Sequence, residues 1–233
     1  MAHTTTSARG TVRLLWAGLR ALLVLSLVTG VLYPLAVTGI AQAAFPGKAN
    51  GSEVTDHGRV VGSSSIGQTY DLPRKKGQKG RQTPGPDLRW FQPRPSAGLG
   101  SNRANGLNTR YDLLVSGASN LAGDNKDLIA AVRERKAAVA EDNSVPGHAV
   151  RPSQVPADAV LSSGSGLDPD ISPQYADLQV HRVAAVDHLS VAQVRGLVDE
   201  HVRGRVLGFV GEPRVNVLQL NTALRDLITA HGR

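Results

Sequence analysis

The chain has 233 residues, enough for one domain of ordinary size with appendages, and it contains no cysteine. The lack of cysteine excludes a disulfide scaffold, cysteine zinc fingers, thiolate catalysis and iron–sulfur ligation. Aromatic residues make up only 4% of the chain, so it lacks the interleaved aromatic and basic residues that a platform for single-stranded nucleic acid needs.

The formal net charge of +7 arises from two segments and not from a whole domain. Residues 1–44 hold three basic residues, Arg9, Arg13 and Arg20, and no acidic one. Residues 71–90 hold six basic residues against two acidic ones, and the rest of the chain is balanced. The positive charge therefore does not indicate a nucleic-acid-binding domain.

The N-terminal segment predicts a transmembrane anchor over residues 14–44. Residues 21–44 carry no charged side chain, and a helix of roughly 20 apolar residues crosses the hydrocarbon core of a bilayer. The arginines on its N-terminal side predict that residues 1–13 are cytoplasmic and that residues 45–233 are extracytoplasmic. Within the span, Tyr33-Pro34 predicts a kink, because proline lacks an N–H group.

The alternative interpretation of this segment is a cleaved signal peptide. Ala41-Gln42-Ala43 has the small-x-small form of a cleavage site. The apolar stretch is much longer than the hydrophobic region of most signal peptides, which favours a retained anchor.

Residues after the anchor predict a turn-rich exit loop at 45–52 and a short strand at 59–66 that enters a small-residue loop. Residues 71–95 combine basic residues with five prolines, so we predict a solvated surface loop without regular structure.

Helix caps are the clearest signals in the second half of the chain. Asp124 or Asn125 can cap a helix over residues 126–140, and Ser172 followed by Pro173 opens a helix to about residue 188. Ser190 with Gln193 forms a capping box for a helix over residues 191–202.

The C-terminal part predicts two short strands, at residues 205–210 and 214–218, and then a terminal helix with Leu220, Leu224, Leu227 and Ile228 on one face. Helices and strands are mixed without βαβ alternation. The expected fold is therefore an α/β (mixed α+β) soluble domain preceded by a single N-terminal transmembrane helix.

The sequence lacks the catalytic and metal-binding motifs that its loops and histidines partly resemble. Residues 62–69 have the spacing of a phosphate-binding loop, but Gln68 replaces the lysine and no helix follows. The Gly-x-Ser-x-Gly elbow of serine hydrolases is missing, and His181 and His188 lack zinc-helix spacing. Asp168 and Asp170 fit a turn better than a carboxylate pair. We predict no catalytic and no metal-binding residue. The Gly/Ser/Asn/Pro-rich loops fit either an interaction surface or plain turns.

Several long motifs resemble one family. They stand in one collinear order from about residue 32 to residue 228, and the chain closely resembles the KdpC family of potassium-transporting ATPase subunits. The motifs are Tyr33-Pro34-Leu35-Ala36-Val37-Thr38-Gly39-Ile40-Ala41-Gln42, Val61-Gly62-Ser63-Ser64-Ser65-Ile66-Gly67-Gln68, Arg94-Pro95-Ser96-Ala97, Ser162-Ser163-Gly164-Ser165-Gly166-Leu167-Asp168-Pro169 and Gly211-Glu212-Pro213-Arg214-Val215-Asn216-Val217-Leu218.

The resemblance implies a non-catalytic accessory subunit of Kdp, an ATP-driven, high-affinity potassium importer in the bacterial cell membrane. In this family the subunit is regarded as stabilising the complex and as a catalytic chaperone that raises the ATP affinity of the P-type ATPase subunit. The implied partners are the potassium-translocating subunit, the P-type ATPase subunit, a small single-helix subunit and membrane lipid, with no nucleic acid. ATP enters at the level of the complex, potassium is the transported ion, and no tightly bound cofactor is expected.

The resemblance also implies two sets of site residues. The loop ending in Gly67-Gln68 is likened in this family to the glutamine-bearing signature of ABC transporters, which makes five residues candidates for nucleotide contact: Ser63, Ser64, Ser65, Gly67 and Gln68. The charge rule opposes that contact, because it places Gln68 outside the cell, away from cytoplasmic ATP. The candidates for subunit interfaces are Tyr33, Pro34, Thr38, Gln42, Arg94, Ser96, Asn120, Ser165, Asp168, Arg214 and Asn216.

Two departures from the family pattern are visible. Ala118 stands where the family usually has glycine, and Asp170 stands where a histidine commonly follows Leu-Asp-Pro. A rival from another class is an anchored extracytoplasmic enzyme or a cell-wall-binding protein that acts independently of a pump.

Overall fold

The computed structural model describes residues 8–72, 85–96, 109–110 and 116–232. The chain divides into two compact units, Met1–Ser52 and Glu53–Arg233. Each is described by itself below.

The first unit is a long apolar helix with one irregular turn. Helix α1 (Ala8–Leu27) continues through a π-helical turn (Val28–Leu32) into α2 (Tyr33–Ala44). The Tyr33 N–H donates to the carbonyl of Val28, five residues back. Pro34 offers no N–H, and its ring would crowd the preceding turn of an α-helix, so the wider turn accommodates it. Of the helices the structure describes, the stretch Gly10–Ala44 is the one long and apolar enough to cross a membrane.

The predicted exit loop contains one more helical turn. Helix α3 (Pro46–Ala49) follows Phe45, and the chain then turns at Gly51, whose φ of +87° is the left-handed region that glycine tolerates. The Gln42 side-chain amide exchanges hydrogen bonds with that of Asn50, at 3.1 and 3.3 Å.

In its described residues, the second unit combines short strands with four longer helices, which confirms the mixed α+β class. Strands β1 (Glu53–Asp56) and β2 (Arg59–Ser63) form an antiparallel hairpin, and β3 (Thr69–Tyr70) pairs with β4 (Thr109–Arg110). A three-stranded antiparallel sheet has the order β5-β7-β6, formed by β5 (Asp170–Ile171), β6 (Val202–Arg203) and β7 (Arg214–Asn216).

Three helices of this unit, α4, α5 and α6, begin where the sequence predicts. Asn125 caps α4 (Lys126–Asp142), Ser172 caps α5 (Pro173–Val186), and a reciprocal capping box of Ser190 and Gln193 opens α6 (Val191–His201). Helix α7 (Val217–His231) closes the chain, and two short 3-10 turns lie at Pro152–Gln154 and Ala157–Ala159. Capping side chains satisfy backbone N–H groups that a helix leaves open, which explains why these starts are readable locally.

One strand prediction is wrong, and a second strand ends two residues earlier than predicted. Residues 205–210 form a tight turn in which Val206 and Val210 face each other across the backbone and Leu207 and Gly208 both have positive φ. The second strand stops at Asn216, because the Asn216 side chain accepts from the Gln219 N–H and so begins α7 at Val217.

The hydrophobic core lies among α5, α6, α7 and β7. Its fully buried side chains include Val180, Val183, Val194, Val215, Leu220 and Leu224. Residues 85–96 contain no helix or strand, yet Trp90 and Phe91 are buried in this core. The prediction of a solvated loop is therefore wrong for this part of residues 71–95, whereas residues 73–84 lie outside the described residues.

Candidate functional site

The serine loop, residues 63–68, is folded back against its own strand. The Ser65 N–H donates to the Ser63 hydroxyl at 3.1 Å, and the Gln68 side-chain amide donates to the carbonyl of Val61 at 3.0 Å. Gln68 is only 2% exposed, whereas Ser65 is exposed. Gly62 makes this packing possible, because a Cβ at that position would lie 1.9 Å from the Gln68 side-chain nitrogen.

The serine loop docks on the second glycine-rich motif of the chain. The Gly67 N–H donates to the carbonyl of Leu167 at 2.8 Å, and the Asn216 side-chain amide donates to the carbonyl of Ser64 at 2.9 Å. A Cβ at Gly67 would lie 2.4 Å from the carbonyl oxygen of Asp168, so only glycine fits this contact. Two motifs separated by about a hundred residues of sequence thus form one surface.

Paired charges surround the contact. Arg94 binds Asp168 at 2.8 Å, and Arg214 binds Asp170 at 3.0 Å. Asn216 also donates to the Asp170 carboxylate at 3.1 Å. We call these five residues (Arg94, Asp168, Asp170, Arg214 and Asn216) the charged cleft.

The cleft is open to solvent and mixed in charge. Arg94, both aspartates and Arg214 line a cavity of about 410 Å³ together with Asp158 and Glu212. Burial raises the pKa of Asp170 from its ordinary value, and the Asn216 hydrogen bond and the Arg214 charge oppose that rise. Because both arginines of the charged cleft are already paired with aspartates, the cleft fits an exchange of ion pairs with another polar surface better than the capture of a single free ion.

The predicted interface residues fall into four groups. Arg94, Asp168, Arg214 and Asn216 come together in the charged cleft. Ser96 and Ser165 are near it in sequence and hold local turns: the Ser96 hydroxyl donates to the Arg94 carbonyl at 3.3 Å, and the Ser165 hydroxyl accepts from the Leu167 N–H at 3.1 Å.

Asn120 is exposed on a separate loop at a positive φ of 54°. The remaining candidates, Tyr33, Pro34, Thr38 and Gln42, belong to the apolar helix of the first unit.

A second polar group, which sequence reasoning missed, lies inside the core. Arg182 is 1% exposed and donates to the Asn143 side chain at 2.9 Å, to the carbonyl of Trp90 at 3.0 Å and also to the carbonyl of Leu88. The Gln179 side chain accepts from Arg182 at 2.7 Å. Burial lowers the pKa of Arg182 to about 10, so it remains charged at neutral pH.

Side-chain amides on α5 and α7 hold the same segment. Asn221 accepts from the Phe91 N–H and donates to the Phe91 carbonyl, both at 2.9 Å. Gln179 bonds Gln92 in the same two-way manner, at 2.7 and 3.1 Å. These paired hydrogen bonds take the place of those that a neighbouring strand would make with Phe91 and Gln92. We call Gln179, Arg182 and Asn221 the buried clasp. No local pattern reveals it, because the clasp residues lie 87 to 130 residues from their partners in residues 88–92.

Two further clusters of titratable groups lie outside the charged cleft and the buried clasp. The rings of His148 and His181 stack with centroids 3.7 Å apart, and burial, helped by the His148 charge, lowers the pKa of His181. Asp56, His57 and Asp226 are the one group of three potential metal ligands found among the described residues, but Arg225 bonds both carboxylates and supplies the cation itself.

Known proteins match the chain over nearly its whole length. The family model described as "KdpC: K+-transporting ATPase, c chain" matches residues 15–226. The chain belongs to the KdpC family.

Curated relatives agree with this assignment. The potassium-transporting ATPase KdpC subunit of Streptomyces avermitilis is 65% identical over 222 residues, which cover 95% of this chain and 97% of the relative. The protein of the same name from Streptomyces coelicolor is 64% identical over 223 residues, covering 96% of each chain. The one from Mycobacterium tuberculosis is 42% identical over 216 residues, covering 92% of this chain and 99% of the relative. The resemblance inferred from the motifs is confirmed.

Proposed function

We propose that this KdpC-family chain is a non-catalytic accessory subunit of a Kdp potassium-transporting ATPase. It stabilises the complex and acts as a catalytic chaperone that raises the affinity of the P-type ATPase subunit for ATP. Its partners are that subunit, the potassium-translocating subunit, a small single-helix subunit and membrane lipid. Potassium is the ion that the complex transports, and ATP binds at the level of the complex.

The apolar helix supports a single-span anchor. Arg13 and Arg20 precede its most apolar part, and no acidic residue lies in the sequence before Glu53. By the positive-inside rule the N-terminus is cytoplasmic and the domain is extracytoplasmic.

The charged cleft carries the proposal of a binding role. Its side chains are already joined in ion pairs, and its backbone is fixed by the Gly67–Leu167 and Asn216–Ser64 hydrogen bonds. A rigid surface of half-exposed, mutually paired charges suits the docking of a partner subunit, because little order must be gained on binding.

The burial of Gln68 supports an indirect influence on ATP. Its side-chain amide is committed to Val61, and contact between Gln68 and a nucleotide requires the serine loop to open. We therefore propose that the influence on ATP affinity passes through contacts between subunits. The five serine-loop residues remain the positions at which direct nucleotide contact is to be tested, and exposed Ser65 is the one best placed for it.

Labelling at single cysteines tests the topology. The chain has no cysteine of its own, so Ser65→Cys and Thr11→Cys each introduce one reactive thiol. A membrane-impermeant maleimide applied to intact cells is expected to label Ser65→Cys and to label Thr11→Cys only after lysis. The reverse pattern contradicts the proposed topology. It would place the serine loop on the cytoplasmic side, where direct contact with ATP is possible.

Purification of the tagged chain from potassium-starved cells tests the role in the pump. The expected result is co-purification of the ATPase subunit, with a lower KM for ATP in the complete complex than in a complex lacking this chain. If the tagged chain is recovered without the ATPase, the proposal is contradicted and a protein that acts independently of a pump is favoured.

A further inference from the structure

Among the described residues of the second unit, the turn at residues 205–210 presents the most exposed large apolar side chains. Leu207 is 82% exposed and Phe209 is 75% exposed, and Val206 and Val210 beside them are about half exposed. Sequence reasoning assigned these residues to a strand and to no site. We call Val206, Leu207, Phe209 and Val210 the apolar tip.

The apolar tip is held in one shape. The N–H groups of Val206 and Val210 each donate to the carbonyl of the other residue at 2.9 Å. The Gly208 N–H donates to the Arg205 carbonyl at 3.2 Å, and an ion pair between Arg205 and Glu212, at 2.8 Å, closes the base. Leu207 adopts a φ of +55°, a region that a branched residue rarely occupies. A strained leucine that is exposed to water gains nothing within the described residues, which points to a contact outside this chain.

The charges at the base of the tip favour a protein over a lipid surface. Two of the three arginines there are joined to acidic side chains, Arg205 to Glu212 and Arg214 to Asp170, while Arg203 donates to the Gln219 side chain at 2.8 Å. Attraction to an anionic membrane needs free cations, and this collar is nearly neutral. Apolar side chains within a polar, paired rim are typical of the centre of a protein interface.

The tip is also continuous with the charged cleft. Glu212, which pairs with Arg205 at the base of the tip, lines the same cavity as Arg214. One partner surface can therefore cover both features.

We propose that the apolar tip inserts into an apolar pocket with a polar rim on the extracytoplasmic face of another subunit of the pump. This inference rests on the proposed function and adds the anchor point of the complex. Leu207 and Phe209 are the residues that fill the pocket, and the preformed turn limits the entropy lost on docking.

A fluorescent label at the tip tests the inference. Leu207→Cys, labelled with an environment-sensitive dye, is compared in two samples: the full chain alone in lipid nanodiscs and the assembled pump in the same nanodiscs. Ala185→Cys on the exposed side of α5 is the labelling control. The expected result is a blue shift and loss of iodide quenching for the label at position 207 only in the assembled pump.

The other outcomes overturn the inference in distinct ways. If the label at position 207 stays accessible to iodide in the assembled pump, the tip is not covered by another subunit and the proposal is contradicted. A blue shift in the chain alone, with quenching by brominated lipid, shows that the tip inserts into the membrane. A blue shift that depends on protein concentration, without quenching by lipid, shows that the tip contacts a second copy of this chain. If the unmodified chain brings down none of the other pump proteins, the proposed function has failed instead.

A paired substitution gives an independent measure. Leu207→Ser with Phe209→Ser is expected to weaken association with the pump at least about tenfold, whereas Leu207→Met with Phe209→Leu retains it. The melting temperature of the chain should be the same for both pairs, because the replaced side chains make no core contact. Equal recovery of the pump with both pairs contradicts the proposal.

Discussion

The buried clasp and the charged cleft are both built around arginine, but solvent reaches only the second. Arg182 is 1% exposed and its acceptors are carbonyls and side-chain amides, whereas the Arg214 side chain is 41% exposed and its acceptor is a carboxylate. The clasp fastens residues 88–92 to the helices, out of reach of a partner. The charged cleft holds ion pairs that solvent reaches, so charged groups of a partner subunit can replace one member of a pair. Burial and the type of acceptor thus separate a structural cluster from a candidate interaction surface.

The largest expected effect is the loss of the clasp. Arg182→Met removes the donor to Leu88, Trp90 and Asn143 and leaves their buried oxygen atoms without that partner. We expect the free energy of unfolding to fall by about 3–5 kcal/mol, measured by urea titration of the full chain in detergent. Arg195→Met removes an exposed ion pair with Asp177 and should cost less than about 1 kcal/mol. Similar losses for the two variants contradict the structural role of Arg182.

A smaller effect is expected where the serine loop docks. Gly67→Ala forces a Cβ against the Asp168 carbonyl and should lower the free energy of unfolding by about 1–3 kcal/mol. Gly164→Ala, in the neighbouring motif, meets nothing within 4 Å and is the matched control. The same denaturation experiment checks both, and an unchanged Gly67→Ala variant means that the loop is not fixed on this surface.

The pH dependence of stability tests a carboxylate beside the clasp. Burial raises the pKa of Asp187 to about 6, against the opposing charges of Arg89 and Arg182. The folded state therefore holds this proton more tightly than the unfolded chain, and the stabilisation is complete at low pH and lost as pH rises from about 4 to about 6.

Asp187→Asn should remove this part of the pH dependence. Between pH 4 and pH 7 we expect the wild-type chain to lose on the order of 1 kcal/mol more stability than the variant, after allowance for solvent screening. Parallel curves for wild type and Asp187→Asn contradict the assignment.

Local signals account for what the sequence could predict. Asn125, Ser172 and Ser190 bond N–H groups two or three residues away, so the helix starts were readable from neighbouring residues. The glycines and serines of residues 62–68 indicated a tight turn, and its family motif indicated a site. Their docking on residues 162–173 was not predictable, because Gly67 and Leu167 meet only in the folded chain.

The errors have the same origin. The short apolar run at residues 206–210 is compatible with a buried strand, but positive φ at Leu207 and Gly208 turns the chain there. The prolines and lysines of residues 71–95 indicated a solvated loop, yet Phe91 enters the core because Asn221 and Arg182 bond the backbone around it. Both outcomes depend on partners that are distant in sequence or on backbone geometry that composition does not encode.

We infer that the charged cleft serves assembly and not folding. Arg214→Ala breaks a half-exposed ion pair and should lower the free energy of unfolding by no more than about 1 kcal/mol. The deciding measurement is the amount of ATPase subunit that is recovered with this variant, together with the KM for ATP of the complex. We predict reduced recovery and a raised KM for ATP in a chain that is still folded. Full recovery of the ATPase subunit with an unchanged KM for ATP would contradict a role of the charged cleft in assembly.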